Sequence, residues 1–264
     1  MTKTFSIFNM SGGVAKTTMT MNLGYLLSQR EKQGGTKYRV LMVDMDAQAS
    51  LTAFNGLNPF DLEKSIYNAL TEQSAPVIYK IKHGYNIAPA NLELSVAELE
   101  LAPVIRREDR LKNCLTKVHS RYDVILIDCA PGSGLLSIMC MVAADYLMIP
   151  IQTEFKSVQA TMNLLQRTYK ILKEANPKLM VRGVMPTMSD NTKQCANALV
   201  SIQNSFEKLK GNSAFKENRV YDPIPRRTAV ANASAARTPL AIYEPTSPAL
   251  EPMNAIVDHM LEVL

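Results

Sequence analysis

Several protein classes are excluded by what this chain does not contain. No apolar run approaches the ~18 uninterrupted residues that crossing a bilayer requires. The greasiest stretch, Ile138 to Ile151, is broken by Asp145 and Pro150. The N-terminus runs from Met1 straight into a strand-like stretch, with no basic n-region, apolar h-region or small-residue cleavage site. The expectation is a cytoplasmic protein that does not span a membrane. The four cysteines, Cys114, Cys129, Cys140 and Cys195, lie far apart with no CxxC pair. They read as reduced core cysteines, not as a zinc, iron–sulfur or dithiol site. His83, His119 and His259 show no metal-ligand spacing, and no internal repeat or low-complexity tract is found. Beyond Arg237 there is no Lys or Arg, only Glu244, Glu251, Asp258 and Glu262. An acidic tail is a poor match for an amphipathic membrane anchor, which needs basic residues beside its apolar face.

What is present is an ordinary globular composition: 264 residues, 47% hydrophobic and 20% charged. This is enough for one sizeable core, so a single domain over 1–264 is expected, Pro-rich from about 220. The formal net charge is +5, but it is unevenly spread. Residues 1–155 hold 15 Lys/Arg against 15 Asp/Glu, and 156–237 hold 14 against 5. A basic surplus confined to one segment is either a polyanion footprint or a set of solvated helix faces.

The apolar pattern alternates strand-like and helix-like stretches. Thr4–Asn9, Tyr38–Asp44, Val124–Asp128, Tyr146–Gln152 and Leu179–Met185 read as buried strands. About thirty residues from one strand to the next is the spacing of a βαβ unit. Val77–Ala88 reads as two short strands joined at His83-Gly84 toward a sheet edge, followed by a helix rich in Glu and Leu. The six prolines after Arg219 predict a loop-rich tail, closed by a short helix over Met253–Leu264 with Pro252 at its first turn. The fold class expected is α/β, a mostly parallel central sheet flanked by helices.

The strongest local signal is Ser11, Gly12, Gly13, Val14, Ala15, Lys16, Thr17 and Thr18, between the first strand and the first helix. Glycines there let successive N–H groups turn toward phosphate oxygens, and the helix N-terminus adds partial positive charge. Lys16 has the reach for the β/γ-phosphates, and Thr17 is placed to ligate Mg²⁺. Two carboxylate motifs end strands, where an open α/β sheet carries its ligand site. Asp44 and Asp46 close one, and Asp128, after four apolar residues, closes another as a Walker B carboxylate does. Thr17, Asp44, Asp46 and Asp128 are therefore the candidate metal shell, one of the paired aspartates being free to orient water.

Together these segments resemble the ParA/MinD family of deviant Walker A ATPases. Ser11–Thr18 is similar to the family's KGGVGKTT, Asp44–Gln48 to its DxDPQ, and Tyr122-Asp123 through Asp128 and Pro131 to its YDxxxIDxxP. Gly183–Thr187, which contains Pro186, and Ile224-Pro225-Arg226 resemble family segments near the nucleotide base. The resemblance implies ATP and Mg²⁺ as cofactors, a homodimer formed with ATP, and hydrolysis stimulated by a cargo-associated partner. In the ParA branch it also implies nonspecific DNA binding and a cytoplasmic, nucleoid-associated location. Lys16 then corresponds to the phosphate-binding lysine and Asp46 to the water-orienting aspartate.

Two positions depart from the pattern: Ser11 stands at the signature lysine and Ala15 at the last loop glycine. A missing cation leaves transition-state charge less compensated. Lys156, just after the strand Tyr146–Gln152, is the candidate replacement at the nucleotide. Loss of the signature lysine from a ParA-like body resembles the carboxysome-positioning subgroup known as McdA. For DNA, Arg226, Arg227, Arg237 and Lys193 lead, with Lys208, Lys210, Lys216 and Arg219 secondary, and Arg226 serves equally well as a nucleotide contact. The competing readings are a MinD-like membrane-cycling ATPase and a nucleotide-binding scaffold with weak catalysis.

Overall fold

Short apolar runs that end in polar or acidic residues have become strands, and the stretches between them helices. The computed structural model describes residues 1–154 and 174–264. Its first half runs β1 (Lys3–Ile7), α1 (Lys16–Gln29), β2 (Val40–Met45), α2 (Ser50–Phe54), α3 (Ile66–Glu72), β3 (Tyr79–Lys80), β4 (Asn86–Ala88) and α4 (Leu94–Leu101). Then follow α5 (Arg110–Thr116), β5 (Val124–Cys129), α6 (Leu135–Ala143), β6 (Tyr146–Gln152) and β7 (Met180–Thr187). The remainder is α7 (Lys193–Leu209), β8 (Arg219–Val220), α8 (Thr228–Ala235), α9 (Leu240–Tyr243) and α10 (Leu250–Leu261).

The strands form one sheet in the order β3-β4-β2-β5-β1-β6-β7-β8. Every neighbour pair is parallel except the β3–β4 hairpin at one edge. The α/β expectation therefore holds, and so does the edge placement of the hairpin. Strand alternation divides the core into two layers. Leu41, Val43, Met45, Ile125 and Ile127 face α3 to α7. Val40, Met42, Val124 and Leu126 face α1, α2 and the three C-terminal helices. The same parity carries Asp44 and Asp128 to the α1 side, where they pair in register across β2 and β5. Helix α1 lies close over them: a Cβ at Gly24 would collide with the Met42 Cε atom.

One expectation needs correction. The tail beyond 220 is more helical than its prolines suggest, because they fall where a helix tolerates them. Pro239 precedes the first residue of α9, and Pro252 sits in the first turn of α10. Among the described residues the basic segment is spread over several elements. Lys193 starts α7 while Lys208 ends it, roughly 22 Å away at 1.5 Å per residue. Lys210 and Lys216 are paired with Glu207 and Glu217. Lys156 lies outside the described residues.

Candidate functional site

The strand order places β1 between β5 and β6, and the connection from β1 runs to β2 on one side while that from β5 runs to β6 on the other, which opens a crevice at the C-terminal ends of β1 and β5. The loop Ser11–Ala15 fills that crevice. Asn9, buried at the end of β1, anchors it: its Nδ2 donates to the Pro150 carbonyl (2.7 Å), and its Oδ1 accepts from the Ser11 N–H (3.0 Å). On the far side Gln152 Nε2 donates to the Gly13 carbonyl (3.0 Å) and Thr187 Oγ1 to that of Val14 (3.2 Å). Strands β1, β6 and β7 thus each hold one part of the loop. Gly13 has φ +71, and a Cβ at Gly12 or Gly13 would meet nothing within 4 Å, so the cradle is open above both. Ala15, at the family glycine position, is held in the left-handed region with φ 70 and ψ 26. A non-glycine residue there costs about 1 kcal/mol or more.

Lys16 folds back over the cradle, its Nζ donating to the Ser11 carbonyl at 2.8 Å. Burial lowers its pKa, and the nearby Asp128 and Asp46 charges oppose that. Beneath it, Asp128 is buried, with Oδ1 accepting from Thr20 Oγ1 at 3.4 Å and Oδ2 without a hydrogen-bond partner. Burial pushes this carboxyl well above the usual carboxylate range, and the Asp44 charge adds to the rise. The Thr17 hydroxyl and Lys16 draw it back down. An orphaned carboxylate oxygen beside a threonine hydroxyl and an open N–H cradle is a donor set that fits a hydrated Mg²⁺ beside phosphates.

Asp44, expected in the metal shell, has both oxygens in use. Oδ2 accepts from Thr52 Oγ1 (2.7 Å) and the Thr52 N–H (2.9 Å), and Oδ1 from the Asp46 N–H (3.2 Å). Burial raises its pKa to about 6 against these bonds. These bonds make Asp44 the residue that fixes α2 and the Asp46 loop. Asp46 is half-buried, and its Oδ1 accepts only the Gln48 N–H, at 2.9 Å, among the described hydrogen bonds. It is the carboxylate with capacity left for a ligand or a water.

Beside the loop lies a cleft of about 240 Å³, walled by Ala15, Thr18 and Met19 on one side and Thr187, Met188 and Pro225 on the other. The two segments singled out in the sequence do meet here. Ser189 and Pro225 form a bridge, and the Ile224 N–H donates to the Pro186 carbonyl at 2.8 Å. Its shape and mostly apolar walls suit a planar heterocycle. Arg226 lines the same cleft and pairs with Asp190 at 3.5 Å. Arg227 and Arg237 are exposed at the two ends of α8, and Lys193 is exposed at the start of α7. Sequence reading missed Asn9, Thr20 and Gln152. Asn9 and Gln152 bond the loop backbone and Thr20 bonds Asp128, contacts between segments distant in sequence or with main-chain atoms that no motif spells out.

A family model described as an AAA domain matches residues 2–181. The sporulation initiation inhibitor protein Soj of Bacillus subtilis is 36% identical over 251 residues, covering 94% of this chain and 93% of Soj. The chromosome partitioning protein ParA of Caulobacter vibrioides is 30% identical over 248 residues, covering 92% and 87%. Among solved structures, a cobyrinic acid a,c-diamide synthase from Mycobacterium smegmatis with bound ADP and magnesium is 30% identical, with a TM-score of 0.76 over 90% of this chain and 91% of that one. An ATP complex of a Cyanothece McdA variant is 25% identical, with a TM-score of 0.84 over 99% and 96%.

Proposed function

The chain belongs to the ParA/MinD family of P-loop ATPases, and from that premise we propose that it is a positioning ATPase. In this reading it dimerises with ATP, binds DNA without sequence preference and distributes a cargo over the nucleoid. The observation that carries the catalytic part is the convergence at one crevice of the Ser11–Thr18 cradle, the unpartnered Asp128 Oδ2 and the under-used Asp46. Thr17 and Asp128 would hold the magnesium ion, which when bound supplies positive charge at the phosphate oxygens. Lys16 exchanges its bond to the Ser11 carbonyl for phosphate oxygens. Asp46 orients the attacking water, and Asp44 keeps Asp46 in place through its backbone N–H. The cleft at Pro225 takes the base.

Arg226, Arg227, Arg237 and Lys193 are the proposed DNA contacts, and Lys156 the cation that replaces the signature lysine. Ser11 supports carboxysomes as the cargo, by its likeness to the McdA subgroup, and a cargo-associated protein is the proposed stimulator. The membrane-cycling alternative is disfavoured by α10. Its apolar residues Met253, Ile256, Val257 and Met260 are buried against the body of the protein, and its outer residues Glu251 and Asp258 are acidic. Phosphate release with Mg-ATP tests the catalytic reading. Wild type is expected to turn over slowly and Asp46→Ala not to, with ATP binding kept in both. Equal turnover in the two proteins would refute it.

A further inference from the structure

Gln152 ends β6 with its side-chain amide between two parts of the site. Its Nε2 donates to the Gly13 carbonyl at 3.0 Å and to the Met188 Sδ atom at 3.2 Å. Both neighbours can only accept, and the amide nitrogen carries two hydrogens, so one group serves both. The phosphate loop and a wall of the base cleft are thereby fastened to the same atom. Fixing the Gly13 carbonyl has a consequence for the cradle. That carbonyl and the Val14 N–H belong to one planar trans peptide, so holding the first sets the direction of the second. The bond to sulfur is the weaker of the two, since a thioether is a poor acceptor.

Met188 is held in a conformation that its side chain disfavours. Its φ of 53 lies in the left-handed region, where a residue with a Cβ is strained. Bonds on either side enforce it. Thr187 Oγ1 donates to the Val14 carbonyl (3.2 Å), while the Ser189 N–H donates to the Ile224 carbonyl (3.0 Å) and the Ser189 carbonyl accepts the Arg226 N–H (2.9 Å). The chain therefore turns at Met188 from the phosphate loop to the Pro225 side of the cleft. A half-buried methionine at such a turn has an unbranched, polarizable side chain that can re-pack against a ring. Strain of this kind collects where a ligand is clamped or a switch is thrown.

We propose that Met188 senses the base and that Gln152 is the positioning residue that relays its state to Gly13, so that the two ends of a nucleotide bind cooperatively. The relay rests on the nucleotide reading of this site. A ring entering the cleft displaces the Met188 thioether from the Gln152 amide. The amide then shifts on the Gly13 carbonyl, and the cradle is reset for phosphate before any contact between base and loop is made.

The probes are adenosine, which carries the base without phosphates, and magnesium tripolyphosphate, which carries phosphates without the base. In calorimetric titrations of wild type, saturating adenosine is expected to tighten tripolyphosphate binding about five-fold or more, and the reverse titration to give the same factor, because coupling between sites is reciprocal. Gln152→Leu removes both bonds while keeping an apolar side chain of similar reach. The Gly13 contact is exposed to water, which can satisfy the freed carbonyl, so folding is not at stake. Met188→Leu keeps the apolar wall and removes the sulfur acceptor. Each variant is expected to bind both fragments with a coupling factor close to one. A residue that served structure alone would weaken both fragments and leave the factor unchanged. A factor near one in wild type that binds ATP, or a factor preserved in either leucine variant, overturns the relay and leaves the nucleotide reading standing. Failure of wild type to bind ATP overturns both.

Discussion

Ala15 is the residue at which this loop departs most visibly from its family. Its φ of 70 would cost a glycine nothing, and its Cβ borders the base cleft. Relief of left-handed strain is worth about 1–2 kcal/mol, and the added freedom of glycine in the unfolded chain returns part of that. Ala15→Gly is therefore expected to stabilise the protein by about 0.5–1 kcal/mol, read as a rise in Tm, with nucleotide affinity kept or improved. A fall in Tm would mean that the alanine methyl packs better than the backbone suffers. At the carboxylates, the division of labour predicts distinct kinetic signatures. Asp46→Ala should lower turnover by about 10²-fold or more with ATP affinity retained, whereas Asp128→Asn should raise the Mg²⁺ concentration needed for nucleotide binding. Titrations of ATP and Mg²⁺ against each variant separate the two. Asp44→Asn should behave as a loop variant, with turnover reduced through misplaced Asp46.

At the scale of elements, what fastens the sheet lies at the end opposite the site. Asp123, just before β5, accepts from the Arg39 N–H (2.8 Å) and from its guanidinium (2.9 and 3.2 Å), and pairs with Lys32 at 2.7 Å. Burial alone would raise its carboxyl, but the bonds to Arg39 and Lys32 outweigh it and hold the pKa well below the usual range. A carboxylate depressed in the folded state stabilises above its unfolded pKa, near 4, and loses that contribution as pH falls through and below that value. Asp123→Asn should thus cost about 1 kcal/mol at neutral pH, since Arg39 is half exposed. It should also flatten the acid limb of a stability–pH curve below about 4; an unchanged limb would exclude the pair as its source.

Arg182 does the corresponding work for the C-terminal helix. Almost fully buried on β7, it donates to the His259 carbonyl (2.9 Å) and to Glu262 (2.8 Å) on and just beyond α10. Arg182→Ala is expected to lower stability by about 1–2 kcal/mol, chiefly by leaving the His259 carbonyl unpaired, since Glu262 is largely exposed, as measured by urea denaturation. Much at this scale was legible in the sequence. Strands β2, β5, β6 and β7 announce themselves as bounded apolar runs, because strands covered on both faces need them. Two-residue β8 carries no such run. Helices α8 and α9 are short and poor in periodic leucine, and they form because the α1 side of the sheet needs cover. The phosphate cradle was readable because its glycines and Lys16 are contiguous. The occupied state of Asp44 was not, since Thr52 reaches it from another element.

For the whole molecule, the parallel sheet gathers the glycine loop, the unpartnered Asp128 Oδ2 and the lightly bonded Asp46 at one crevice, the groups proposed to hold phosphates and magnesium and to orient water. Arg227, at the start of α8, lines the base cleft of that crevice together with Pro225 and Arg226, while Arg237, beyond the other end of the helix, lies by His83 toward the C-terminal end of α1. A nucleotide base in the cleft, as proposed, would touch the segment proposed to meet DNA, which would couple the two. Cations on phosphates release counterions, so binding should fall steeply with salt and be indifferent to base sequence. The most direct test is affinity for a nonspecific duplex, with ATP, with ADP and without nucleotide, in wild type and in Arg227→Glu/Arg237→Glu. Salt-sensitive binding with ATP alone, lost in the charge-reversed protein, is what the account predicts. Binding that is independent of nucleotide, or unchanged by the double reversal, would contradict it.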